Sequence, residues 1–421
     1  MIPAAVDVLI VGAGPAGIAT AVHAAGAGRR VLVVDEGARP GGQIWRHPET
    51  GAAPREAAGW LARLAAAGIE VLTGTTVFDA PVPGALRVLR GTDAATIRYE
   101  QLVIATGARE LLLPFPGWTL PGVIGVGGAQ ALLKAGLDVR GRSVVVAGTG
   151  PLLLPVAALL AQQGARVVMV AEQADRARVA SFATSLWRTP RRALQAVRLR
   201  AACRAAPYRT GTWVARALGT DEVRGALITD GAHAHEVSCD LLCVGYGLVP
   251  DTRLARLLGC TIEQGRVQVD ALQRTGVDRV WCAGEPTGIA GAEAALFQGT
   301  VAGLAIAGSE DVARNRARAR GRHAAFAERI ASAFRLRPEL AALADDATIV
   351  CRCEDVTMGA VRACQGLREA KLYTRAGMGA CQGRVCGSAL EHSCGWEADH
   401  VRAPLVPVPV AALHHDNPGD G

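Results

Sequence analysis

The residues of this sequence best equipped for chemistry lie near its two ends. Close to the start, Gly12, Gly14 and Gly17 punctuate Val8-Leu9-Ile10-Val11-Gly12-Ala13-Gly14-Pro15-Ala16-Gly17. Gly12 permits a tight turn, Gly14 lets the backbone approach a pyrophosphate, and Gly17 lets a helix pack closely on a strand. The free amides and positive dipole end of that helix would face the phosphates. A second apolar run from Val31 to Val34 ends on Asp35, a carboxylate able to accept ribose hydroxyls. Strand, glycine turn, helix, strand and acid in that order predict a bound dinucleotide. Toward the other end, Cys351, Cys353, Cys364, Cys381, Cys386 and Cys394 crowd together, six of the chain's 11 cysteines. In a cytosolic protein such crowding points to a metal or redox centre over a disulfide framework. Cys203, Cys239, Cys243, Cys260 and Cys282 are scattered, mostly in apolar runs, and read as small buried hydrophobes.

Composition bounds what can carry these groups. A length of 421 residues allows two or three domains. Half the residues are hydrophobic, 50%, yet no run is long and clean enough to span a bilayer. The first strand begins almost at once, which leaves no room for a signal peptide, and a cytoplasmic location is expected. The formal charge of +7 is almost wholly arginine, since Lys134 and Lys371 are the lysines of the chain. No aromatic-plus-basic pattern accompanies it, so nucleic acid is not expected as a partner.

The elements that must position the chemistry follow the same alternation. After Asp35, Gly37 to Gly42 reads as a loop ending on Gln43-Ile44-Trp45-Arg46. Arg55 to Ala67 has helical spacing, and the runs at Glu70 and Leu86 read as strands. Gln101-Leu102-Val103-Ile104-Ala105-Thr106-Gly107 again breaks a buried strand on glycine, and Pro114 to Gly122 reads as a hinge between lobes. Ser143 to Gly150 begins a second glycine turn. Its third glycine is replaced by Leu153, and its next strand ends on Ala171 where the first has Asp35, with Glu172 one place late. A retained scaffold with a lost or changed ligand therefore stands beside a working nucleotide site. Arg176 to Arg204 reads as helix broken at Pro190. Val280-Trp281-Cys282-Ala283-Gly284-Glu285 is a strand halting at glycine and acid, and Ala292 to Ala307 a small-residue helix. Arg314, Arg316, Arg318, Arg320 and Arg322 form a basic linker with a solvated face.

Together these pieces resemble the flavoproteins that carry two dinucleotide-binding domains, with thioredoxin and glutathione reductases as relatives. That resemblance implies that Gly12, Gly14, Pro15, Ala16, Gly17, Asp35 and Glu36 hold the ADP half of FAD. Ala105, Thr106 and Gly107 resemble the return crossing, and Gly284 and Glu285 the second FAD motif, with glutamate where many relatives have aspartate. No redox cysteine pair stands beside the expected flavin, which disfavours a disulfide reductase. Gly41-Gly42-Gln43-Ile44-Trp45-Arg46, Pro114-Phe115-Pro116-Gly117-Trp118-Thr119-Leu120-Pro121-Gly122 and Gly245-Tyr246-Gly247-Leu248-Val249-Pro250 resemble one subfamily more closely. It comprises the FAD-containing alpha subunits of bacterial heteromeric amino-acid dehydrogenases: opine oxidases, hydrogen cyanide synthase, and proline and D-hydroxyproline dehydrogenases. By that likeness Gly42 and Gln43 join the cofactor-binding residues. Val350 to Thr357 and Thr374 to Gly387 are similar to the small [2Fe-2S] domain named after bacterioferritin-associated ferredoxin, and Cys351, Cys353, Cys381 and Cys386 match its ligands. Zinc is the alternative for four cysteines; a flavin in the same chain favours iron–sulfur, because it gives a cluster an electron partner. The stretch between Cys353 and Cys381 is shorter than this domain ordinarily has.

The expected fold is α/β: two Rossmann-like domains of the disulfide-reductase flavoprotein type plus a small helical C-terminal [2Fe-2S] domain. The expected boundaries are 1–113 and 248–310 for the two parts of the FAD domain, 114–247 for the second dinucleotide-type domain, 311–345 for the basic linker, 346–396 for the cluster domain and 397–421 for a tail. The resemblance implies an electron-transfer subunit whose partners are an FAD-containing beta subunit with the substrate site and a further small subunit, associated with a membrane, if at all, through those partners. A self-sufficient NAD(P)H-dependent flavin oxidoreductase, with a second nucleotide in the second lobe, is the alternative, and an assembly subunit whose cluster is a sensor or scaffold is a third. No histidine or carboxylate is patterned as a general base, so no catalytic residue is assigned. His47 is a candidate for proximity to the flavin, and His23 reads as surface or packing.

Overall fold

The computed structural model describes residues 2–47, 53–318, 321–397 and 401–413. The chain forms two compact units, made of the described residues of Met1–Arg109, Val249–Ala327 and Asp399–Gly421, and of Glu110–Leu248 and Glu328–Ala398.

The chain begins with β1 (Ala5–Val11), α1 (Pro15–Ala24), β2 (Val31–Val34), α2 (Arg55–Ala66), β3 (Glu70–Leu72), β4 (Thr75–Asp79), β5 (Ala85–Arg90) and β6 (Asp93–Ile104). The strands order as β3-β2-β1-β6-β5-β4. Val8 to Ile10 and Leu32 to Val34 are continuous apolar runs because parallel strands are covered on both faces, and all six residues are fully buried. The second half of β6 pairs in parallel with β1, while its first half closes an antiparallel meander with β5. The C-terminal ends of β1, β2 and β6 therefore meet at one edge, where Gly12, Asp35 and Ala105 follow.

After β7 (Ala108–Glu110) come β8 (Val123–Gly125), α3 (Val126–Lys134), β9 (Ser143–Gly148), α4 (Leu153–Gln162), β10 (Arg166–Glu172), α5 (Arg176–Ser185) and α6 (Pro190–Ala202). Then follow β11 (Tyr208–Thr210), β12 (Trp213–Leu218), β13 (Gly225–Thr229), β14 (Ala234–Ser238) and β15 (Leu241–Gly245). A second parallel sheet runs β11-β10-β9-β15-β8, with β12-β13-β14 as a separate antiparallel sheet. Glu110 substitutes for a cap on α3: its buried carboxylate accepts the amides of Gly127 at 2.8 Å and Gly128 at 3.3 Å.

The chain returns through β16 (Leu248–Pro250), α7 (Arg253–Leu257), β17 (Ile262–Glu263), β18 (Arg266–Val267) and β19 (Val280–Cys282), the last adding to β6. Next is α8 (Ala292–Ile306), which packs on α1. Its closeness needs glycine: a Cβ on Gly299 would meet Ala16 O at 2.1 Å, and one on Gly303 would meet Thr20 O at 2.6 Å. Residues 311–345, expected as a linker, are largely helical in α9 (Glu310–Ala317) and α10 (Gly321–Ala333). Arg320 of the arginine run lies outside the described residues.

The final elements are β20 (Ile349–Cys351), β21 (Val356–Thr357), α11 (Met358–Arg362), α12 (Leu367–Thr374) and α13 (Cys386–Cys394). They enclose a small core of Val350, Cys351, Val356, Met358, Val361, Ala370, Ala376, Cys386 and Leu390. These residues belong to the second unit and are anchored there. Trp118 of the expected hinge donates its indole N–H to Ile349 O at 2.5 Å, and the Arg352 guanidinium stacks 4.6 Å from the Trp118 ring.

Candidate functional site

The glycine turn of the first unit is built by close approach. Gly12 has φ 108°, and a Cβ there would stand 2.3 Å from Ala105 O. A Cβ on Gly17 would stand 1.9 Å from Gly12 O, so this helix start tolerates only glycine. Pro15 and Ala16 open α1 behind Gly14, and the amides of its first turn have no intrahelical acceptor. Asp35 leans into the turn, accepting from Ala13 N at 2.5 Å and Gly37 N at 2.7 Å. Burial raises its pKa, and those two amides oppose the rise. Glu36 beside it is exposed. Gly41 N donates to Ala13 O at 2.7 Å, and Gly42 rests against Gly14, where an added Cβ would come within 3.0 Å of the Gly14 Cα. Gln43 is exposed, whereas Trp45 is buried.

The return crossing reaches the same edge. Ala105 N donates to Val11 O, Thr106 Oγ1 to Asp251 O at 2.7 Å, and Asp251 N to Gly107 O at 3.0 Å. Ala283 N donates to Ile104 O, which brings Gly284 and Glu285 alongside. Burial raises the Glu285 pKa, and its carboxyl has no hydrogen-bond partner among the described residues. A carboxyl held out of water without a donor is unfinished, as expected of a group that meets a ligand. His47 Nδ1 lies 2.9 Å from Trp45 O, and His23 packs in α1 against Trp60 with its Nδ1 2.8 Å from Ala19 O.

Sequence patterns did not mark three contributors. Asp251 grips Arg253 through bonds of 2.9 and 2.6 Å. Burial works against the Asp251 carboxylate, but the Arg253 guanidinium overrides it and holds the pKa below the ordinary value. Arg253 Nη1 is buried with no hydrogen-bond partner among the described residues, and its charge reaches Glu36. Gln298 of α8 accepts from Gly284 N at 2.8 Å, fixing the second acidic loop. None of these stands in a recognisable spacing, because each is brought in by α7 or α8 from far along the chain.

The second glycine turn corrects one sequence expectation. Ala171 pairs with Ala147 as Val34 pairs with Val11, so Glu172 and not Ala171 is the counterpart of Asp35. A register shift between Val167 and Met169 absorbs one extra residue and made the acid look displaced. The glycine logic also persists, since a Cβ on Gly148 would stand 1.8 Å from Gly245 O. Leu153, in place of a third glycine, is buried and is the first residue of α4, whereas α1 starts at Pro15, the counterpart of Pro151. Glu172 accepts from Thr149 Oγ1 at 2.8 Å, Gly150 N at 2.8 Å and Ala174 N at 2.9 Å. Burial pushes its pKa up to about 7 against these three bonds.

In the C-terminal module the four expected thiols gather as two neighbouring pairs, Cys353 beside Cys381 and Cys386 beside Cys351. Gly377 N points at Cys351 Sγ, 3.5 Å away. Burial opposes the Cys381 thiolate, but the amides of Val385, Gly383 and Arg384 and the Cys353 thiol pull its pKa below the ordinary value. Burial, then the Cys351 charge, pushes Cys386 up to about 12. Asp355, Arg375 and Gln382 all have positive φ, as do Gly377 and Gly383, so the loops coil tightly around the sulfurs. Thr357 caps α11 by accepting from Ala360 N. The donor set suits a thiolate-ligated cluster. All four are free thiols, however, and no group of three or more Cys, His, Asp or Glu among the described residues is arranged to hold a metal ion. Cys364 and Cys394 pack on the edge of the module core.

Comparison with known proteins places this geometry. The family model described as pyridine nucleotide-disulphide oxidoreductase matches residues 6–299. The chain is 31% identical to the HcnB subunit of hydrogen cyanide synthase from Pseudomonas protegens, over 96% of this chain and 97% of that protein. It is 32% identical to an opine oxidase subunit of Rhizobium meliloti, over 91% of each. Among solved structures, L-proline dehydrogenase from P. horikoshii superposes with a TM-score of 0.63 at 19% identity, covering 97% of this chain and 79% of that one. Thioredoxin reductase of T. acidophilum gives a TM-score of 0.57 at 21% identity, covering 73% of this chain and 100% of that one.

Proposed function

This chain belongs to the pyridine nucleotide-disulphide oxidoreductase family, and on that premise we propose that it is the FAD- and [2Fe-2S]-containing electron-transfer subunit of a heteromeric amino-acid dehydrogenase acting on CH–NH or CH–NH2 donors. The carrying observation is the first glycine turn. Pro15 and Ala16 open its helix behind Gly14, Asp35 accepts the Ala13 amide beside it, and the buried Glu285 carboxyl has no hydrogen-bond partner among the described residues at the same sheet edge. Similarity along nearly the whole chain to subunits of a hydrogen cyanide synthase and an opine oxidase supports the same reading.

Gly12, Gly14, Ala16 and Gly17 would hold the pyrophosphate, with Pro15 presetting the helix start. Asp35 would accept ribose hydroxyls, and Glu36 with Arg253 would line that end. Gly42 and Gln43 close over the turn, and Ala105, Thr106 and Gly107 with Gly284 and Glu285 would carry the ribityl and flavin end. Cys351, Cys353, Cys381 and Cys386 would hold the cluster, with Gly377 N–H directed at one sulfur. When bound, a flavin accepts two electrons and an iron–sulfur centre passes them one at a time. The protein's part is to orient these groups and keep water from them. The substrate site belongs to an FAD-containing beta subunit, with a further small subunit in the complex. The complex resides in the cytoplasm. No helix among the described residues is long and apolar enough to cross a membrane.

Anaerobic titration of the purified chain with NADH, NADPH and then dithionite tests this. Flavin and iron–sulfur bands that only dithionite bleaches, with no turnover of proline, hydroxyproline, opines or glycine by the chain alone, are the expected result. Rapid bleaching by either nicotinamide, or robust amino-acid oxidation without a partner, would overturn it.

A further inference from the structure

The two glycine turns of this chain have the same register and differ in which donors the protein takes for itself. In the first, Asp35 accepts the Ala13 and Gly37 amides. In the second, its donors are already spent on the protein itself. Glu172 takes the Gly150 amide and the Thr149 hydroxyl. Gln173, fully buried, donates to Thr149 Oγ1 at 2.8 Å and to Arg335 O at 3.2 Å, and its Oε1 accepts from Arg337 N at 3.1 Å. Thr149 Oγ1 also lies 3.4 Å from Phe334 O. Residues 334–337, which lead from α10 toward the cysteine module, thus cross the mouth of the turn. Both ends of this strap are clamped. The Phe334 ring packs edge-on against Phe182 at 5.1 Å, and the Arg337 guanidinium stacks 4.8 Å from the Trp213 ring.

We propose that the second glycine turn is an internally filled site, in which the Glu172 carboxyl takes the Gly150 amide and the Phe334–Arg337 strap crosses the turn, so that this lobe takes neither a nicotinamide nor an adenine nucleotide. The chemistry is substitution of like for like. A phosphate at a glycine turn is an anion accepting backbone N–H, and here a carboxylate accepts the Gly150 amide while the Arg335 carbonyl of the strap accepts from Gln173. An entering nucleotide would have to strip these bonds and leave buried polar groups unpaired. The turn serves instead as the anchor for the segment that enters the cysteine module. This inference rests on the second unit alone and stands whether or not the first turn holds FAD.

The test uses the full chain as isolated, with two readouts. Calorimetric titration with NADH, NADPH, ADP and ATP to millimolar concentration, with saturating FAD present so that the first turn is occupied, should give only heats of dilution. Hydrogen exchange should find the Arg337 amide protected, and Gln173→Ala, which removes its acceptor, should speed that exchange by about tenfold or more. Phe334→Ala, at the other end of the strap, should do the same and guards against misfolding of the first variant. Saturable binding of any of these nucleotides to the unaltered protein at micromolar concentration would overturn the proposal. So would an Arg337 amide that exchanges as fast in the unaltered chain as in both variants.

Discussion

Replacing Glu172 by glutamine should remove most of one steep pH dependence from the second unit. Burial holds this carboxyl at a pKa of about 7, against an ordinary value of 4.5. A displacement of about 2.5 pH units at about 1.4 kcal/mol each makes the linked free energy about 3.5 kcal/mol. The folded chain holds this proton more tightly than the unfolded chain. The contribution therefore favours folding fully below pH 4.5, declines as the pH rises, and is lost as the pH passes through about 7. Thr149, Gly150 and Ala174 oppose the shift without reversing it, and the neighbouring Tyr208 hydroxyl, itself pushed upward by burial and then by the Glu172 charge, stays neutral throughout. Glutamine keeps one acceptor oxygen and the same volume but cannot ionise; the donor it turns toward Gly150 is a cost that does not vary with pH. Hydrogen exchange of the β9 and β10 amides, corrected for intrinsic rates and followed from pH 5 to 8, reads the difference. Relative to Glu172→Gln, the unaltered chain should lose roughly a hundredfold in protection across that range, the equivalent of about 3 kcal/mol. Parallel pH profiles for the two proteins would refute the reasoning.

Other expectations follow from the same contacts. Gly17→Val drives a side chain into Gly12 O, 1.9 Å from where its Cβ must sit, and flavin content after purification should fall by about tenfold or more, since the turn loses its geometry; a variant with a full flavin spectrum would count against the first turn as the cofactor site. Cys381→Ser should abolish iron and acid-labile sulfide while Cys364→Ser keeps both, and FAD content should be unchanged in each; equal iron in the two variants would remove Cys381 from the ligand set. Trp118→Phe keeps a ring for Arg352 but loses the bond to Ile349 O. At about 1 kcal/mol for one such bond, exchange of the β20 and β21 amides should quicken by about fivefold, and no change there would show that the contact does not hold the module.

Sequence by itself determined the local devices. Fully buried parallel strands read as unbroken apolar runs, and glycines at fixed offsets mark where backbone must touch backbone, so β1, β2, β6 and β9 and both turns were legible. The six crowded cysteines marked their stretch as a candidate centre, and four of them, Cys351, Cys364, Cys386 and Cys394, lie in or against one small core. Pairing register was another matter. A one-residue bulge in β10 leaves no mark in a run such as Val167-Val168-Met169, and only the strand pairing shows that Glu172 stands where Asp35 does. Ligand access was decided by tertiary structure too. The residues that fill the second turn come from 334–337, more than 160 positions from Gln173, and Asp251 reaches Thr106 of the return crossing from 145 positions away. A local pattern reports what the backbone of a turn can bind; which atoms satisfy it depends on chain segments that only folding brings there.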